Sequence, residues 1–104
     1  MTIATDDLAL ALELTLLDAI DLEQRGGPGT ALSRDGALVQ RLTDPNSRRL
    51  ACAHIAVRWI GERLFTAGGA PLMRTTLHAV AEQYAVRSER MQSIATHAWA
   101  GIAK

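Results

Sequence analysis

Leucine occupies every second position from Leu8 to Leu16. Strict alternation suits a half-buried strand, yet Leu, Ala and Glu are strong helix formers. Length decides between them. The apolar pattern continues through Leu17, Ala19, Ile20 and Leu22 without a turn residue, beyond the reach of an ordinary strand of up to about 10 residues. The segment opens on Thr5-Asp6-Asp7, a cap with acids in the first turn, and closes on Arg25-Gly26. Both ends match helix termini. A helix over residues 5–25 is therefore expected.

Wound as a helix, Leu8, Leu12, Leu16 and Ala19 share one face. Leu10, Leu14 and Leu17 share the opposite one. A surface helix carries a single apolar stripe, and one apolar on both sides has two surfaces to cover. The expectation is that this helix packs on its own domain with one face and on another chain with the other.

Punctuation divides the rest. Gly26-Gly27-Pro28-Gly29 reads as a linker, followed by a short helix over 31–42. Asp44 and Pro45 form a favoured helix start. The helix they open spans 45–66 and carries a heptad-like stripe of Leu50, Ala53, Val57, Ile60 and Leu64. Pro71 starts a last helix over 71–102, with no glycine or proline until Gly101. Its stripe is Leu77, Val80, Tyr84, Arg87, Met91, Ile94 and Ala98. The fold class expected is all-α, a bundle of about four helices with a long C-terminal helix, in one domain over 1–104. If straight, that helix overhangs its partners by roughly 15 Å. It would then leave Met91, Ile94, Ala98, Trp99 and Ile102 wet, which soluble proteins avoid. These residues, with Leu10, Leu14 and Leu17, are expected to form a homodimer interface. The competing expectation is a kink near Ser88 that folds the helix end back onto its own chain.

Charge is balanced overall but split along the chain. Residues 1–24 hold six acids and no base, and ten of the eleven bases are arginine. A nucleic-acid-binding domain is usually basic as a whole, so nucleic acid is disfavoured as a partner. The single Cys52 rules out an internal disulfide, and the acidic start lacks the basic region of a signal peptide. No apolar run reaches the ~20 residues of a membrane span. The chain reads as cytoplasmic, without a membrane role.

Catalytic sets do not assemble from these spacings. His78 and His97 are about 28 Å apart along one helix, so no shared metal is expected, and no cofactor is called for. Cys52 and His54 point to different sides of a helix, and Cys52 reads as a small buried hydrophobe. The principal expectation is a non-enzymatic protein–protein interaction module, partnered by itself or by another protein. A ligand-binding or enzymatic bundle is the alternative, with a pocket near His54, Glu82 and Tyr84 if a hairpin turns near Gly68-Gly69. A third is a DNA-binding helical dimer using Arg48 and Arg49, although the acids of the first helix are the favoured partners for those charges.

Overall fold

A computed structural model of the chain describes residues 4–26 and 45–103. The described residues are helical, without strands: α1 (Thr5–Gly26), α2 (Pro45–Ala81) and α3 (Ser88–Ala98). The helix expected over 31–42 lies outside the described residues. No helix among those described is long and apolar enough to cross a membrane.

The leucine alternation resolves into the two faces of a helix. Leu8, Leu12, Leu16, Ala19 and Ile20 are buried, whereas Leu10 and Leu14 are 54% and 57% exposed. Thr15 sits mid-helix with its hydroxyl donating to the Ala11 carbonyl at 2.7 Å, the back-bond such residues make within a helix. The buried stripe of α1 packs mainly on α2, whose inward positions are Ala53, Val57, Ile60 and Leu64. These are spaced as the heptad pattern requires, and Leu50 packs half-buried at the stripe's start.

Helix α2 does not stop at the paired glycines. It runs on through a sharp kink at Gly69, whose backbone has φ 73° and ψ −169°. This region is open essentially to glycine alone. Pro71 follows at the start of the second limb, where a missing N–H costs little. We expect Gly69→Ala to lower stability by about 1–3 kcal/mol, the usual cost of forcing a side chain into such a conformation. In a domain of this size each kcal/mol shifts the midpoint by roughly 4–8 °C. A thermal melt checks it, and an unchanged midpoint would show that the kink is not required.

The long C-terminal helix does not form. The chain leaves the helix after Ala81, turns through residues 82–87, and restarts at Ser88. The overhang therefore does not exist, and the far end folds back onto its own chain. Met91, Ile94 and Trp99 are buried in the same core as α1 and α2, with Ala98 and Ile102 half-buried against it. The reason is the apolar area itself: each large side chain contributes roughly 1.5–3 kcal/mol when buried. Breaking the helix once costs less than leaving several such side chains wet.

Three polar ties fix α3 in place. The Trp99 indole N–H donates to the Val57 carbonyl at 2.7 Å. The ring lies over Gly61, where a Cβ would sit 2.3 Å from Nε1. Arg58 donates to the carbonyls of Ala98 and Ala100 at 2.9 and 2.8 Å. It thereby supplies a cation to the C-terminus of α3, where the last carbonyls lack helical partners. Arg90 grips Glu23 of α1 with two donors, Nε to Oε2 at 2.9 Å and Nη2 to Oε1 at 2.5 Å.

Candidate functional site

The second limb of α2, the turn and α3 follow one another as a helix, a six-residue turn and a second helix. The backbone N–H of Glu82 still donates to His78, and the Arg87 carbonyl already accepts from Met91. Gln83 and Tyr84 close shorter turns onto Val80 and Ala81. The irregular stretch is six residues, 82–87, longer than the roughly 3–4-residue turn of a helix-turn-helix unit.

The turn is held from outside. The Tyr84 hydroxyl donates to the Glu13 carboxylate at 2.5 Å. That hydrogen bond, aided by desolvation and by the repulsion of a second negative charge, raises the Tyr84 pKa above its ordinary value. A raised folded-state pKa means that the bond stabilises fully below the unfolded value of about 10. The contribution is lost as pH climbs through the folded value. Tyr84→Phe should therefore lower the melting midpoint at neutral pH, and the gap to wild type should close under alkaline conditions. Paired melts at neutral and alkaline pH check this; a gap independent of pH would mean the loss is one of packing.

Helix α3 is divided along its length. Met91, Ile94 and Ala95 face the core. Glu89, Gln92, Ser93 and Thr96 project outward and are all exposed, flanked by Arg90 and His97. At 100° per residue Glu89, Gln92, Ser93 and Thr96 share one face. They are short or planar polar groups of the kinds that read base edges. Arg87, at the N-cap, and Arg74, on the second limb of α2, are exposed as well. Residues 45–103 carry seven arginines against three glutamates, so the acids of α1 mask a basic remainder.

The expected pocket does not come together. Tyr84 is engaged with Glu13, while Glu82, just past the end of α2, lies 3.6 Å from His78. His54 lies instead beside α3, lining a groove of about 330 Å³ with Arg90, Ser93, Ile94 and His97. Cys52 is exposed rather than buried. Arg48 and Arg49 line an open cleft of about 580 Å³ between α1 and α2, which Asp18 shares. Among the described residues no three His, Cys, Asp or Glu side chains are grouped to hold a metal ion.

Of the residues expected at an interface, Met91, Ile94 and Trp99 are core, and Leu17, Ala98 and Ile102 are half-buried. Leu10 and Leu14 are on the surface. The outward face of α3 escaped sequence reasoning because no glycine or proline marks the turn before it. The available signal was the Ser88-Glu89 pair, a small polar residue and an acid at a helix start. Comparison with protein-family models, curated proteins and solved structures finds no match to this chain.

Proposed function

We propose that the chain is a DNA-binding module in which α3 enters the major groove. The observation that carries this reading is the outward polar face of Glu89, Gln92, Ser93 and Thr96 on the second of two helices joined by a six-residue turn. In helix-turn-helix proteins the second helix presents such side chains to base edges while the first crosses the phosphate backbone. Arg87 at the N-cap of α3 and Arg74 on the preceding limb supply phosphate contacts. Their side chains, unlike that of Arg90, have no carboxylate within an observed ion pair among the described residues. An 11-residue helix is about 16 Å long, enough to present three turns to the groove.

The proposal moves the DNA contact from Arg48 and Arg49, which line the cleft with Asp18, to α3. Selection from a random-sequence 30-base-pair duplex pool of about that length, one that spans a typical protein footprint, tests it. Expected is enrichment of one short motif, bound with an affinity that falls with salt at about −0.9 logarithmic units per phosphate contacted. Failure to retain any duplex at low salt would refute it.

A second reading keeps a protein contact on α1, favoured by the exposure of Leu10 and Leu14. In that reading a homodimer would pair through these leucines, without help from Ile94 or Trp99. Sedimentation at micromolar concentration measures the oligomeric state directly.

A further inference from the structure

The outward face of α1 is a surface that DNA binding by α3 leaves unexplained. Leu10 and Leu14 are more than half exposed, although every neighbouring apolar position on the other face is buried. Leu17 continues the line, half-buried. The positions Asp7, Leu10, Leu14, Leu17 and Asp21 step by 3, 4, 3 and 4, which is a heptad seam. Asp6, Asp7 and Asp18 are exposed beside it, and no base occurs in residues 1–24. The seam is thus apolar along its middle and acidic at its ends, with Arg48 and Arg49 of α2 sharing the cleft beside Asp18 on one side.

We infer that this face docks a basic amphipathic helix from another protein, with leucine-like residues at heptad spacing flanked by lysine or arginine. Shape argues for a helix, because a 3–4 ridge of leucines packs into the groove of a second helix at a shallow angle. Charge argues for its sign. A second copy of the same face would make a symmetric contact that sets aspartate against aspartate, and like charges juxtaposed across an interface cost several kcal/mol. DNA is excluded from the face for the same reason. The acids orient α1 away from phosphate, so a partner held there and a duplex held by α3 can be engaged together.

The probe is a 21-residue helical peptide with leucine at heptad positions a and d and lysine elsewhere, three heptads being the minimum for a sustained seam (about 3–4 heptads). Its counterpart has glutamate in place of lysine. Fluorescence anisotropy of each labelled peptide is measured against the whole chain. The lysine peptide should saturate at one per chain, and the glutamate peptide should not bind. Leu10→Ser/Leu14→Ser keeps every acid and should weaken the lysine peptide at least tenfold. Equal binding to that variant would overturn the proposal, since charge alone would then account for it. Asp7→Asn/Asp18→Asn keeps the leucines and should weaken binding severalfold with a shallower salt dependence. This second variant reads the same face if the serine pair disturbs folding, and an unchanged affinity in it would also refute the proposal. Sedimentation of the chain alone supplies the last arm. A dimer that Leu10→Ser/Leu14→Ser dissolves would make the occupant a second copy and overturn the inference.

Discussion

Gly61→Ala is expected to be among the most destabilising single substitutions in the chain. The added Cβ would stand 2.3 Å from the Trp99 Nε1 and 2.4 Å from its Cδ1, distances no atom pair tolerates. The ring must leave its notch. Its hydrogen bond to the Val57 carbonyl then breaks, and the buried indole loses the position that covers Gly61. Overpacking costs about 1–3 kcal/mol. A broken hydrogen bond at a buried donor adds about 1–3 kcal/mol. A loss of roughly 2–6 kcal/mol corresponds to a midpoint lowered by roughly 8–48 °C. Circular dichroism melts read the midpoint, and a red shift of tryptophan emission reports that the ring has moved toward water. Trp99→Leu placed on the Gly61→Ala background should recover part of the loss, because the smaller side chain leaves room for the methyl. Additive losses in the double variant would show that the two sites are not in contact.

Gln92→Glu/Thr96→Glu should abolish sequence-specific DNA binding while leaving the fold intact. Both side chains are exposed on α3. Their replacement disturbs only a Gln92 to Ser88 side-chain bond at 3.2 Å and adds two like-charge pairs, one with Glu89 and one between the new carboxylates, of about 0.2–0.5 kcal/mol each. The midpoint should therefore move by no more than a few degrees. On the duplex, by contrast, each lost base contact is worth about 1–3 kcal/mol. Two carboxylates carried into a groove lined by phosphates add repulsion to that. The affinity for the selected duplex should fall by at least about 100-fold, the equivalent of two such contacts. Anisotropy titration measures it. A change below threefold with an unaltered melt would show that α3 does not read the duplex. The contrast with Ile94→Glu/Trp99→Glu is instructive. Those two residues are core, and that pair should unfold the chain rather than merely separate protomers.

The helical class was legible before any tertiary information, and so were the faces of α1 and of the first limb of α2. Leu8, Leu12 and Leu16 had to fall on one side because 3.6 residues make a turn, and Val57, Ile60 and Leu64 had to follow for the same reason. The start at Pro45 was equally local, since proline's fixed φ and missing N–H suit the first helical turn. The two faces of α1 were local too, and the exposed one survives on the surface with acids at its ends. Local chemistry offered a kink near Ser88 only as the competitor of a straight helix, and could not decide between them; the restart at Ser88 matches the competitor. Nothing between Pro71 and Gly101 is a helix breaker, and an isolated chain of those residues has no reason to turn at Tyr84. The turn follows from contacts with sequence-distant partners: the hydroxyl of Tyr84 on Glu13, the indole of Trp99 on Val57, and Met91 and Ile94 in a core built by α1 and α2. Such long-range burial outweighs helix propensity, which is worth under about 1 kcal/mol per residue for anything but proline. Breaking the helix also decided which side chains face outward, because it turned the apolar half of α3 inward and left Glu89, Gln92, Ser93 and Thr96 on the surface.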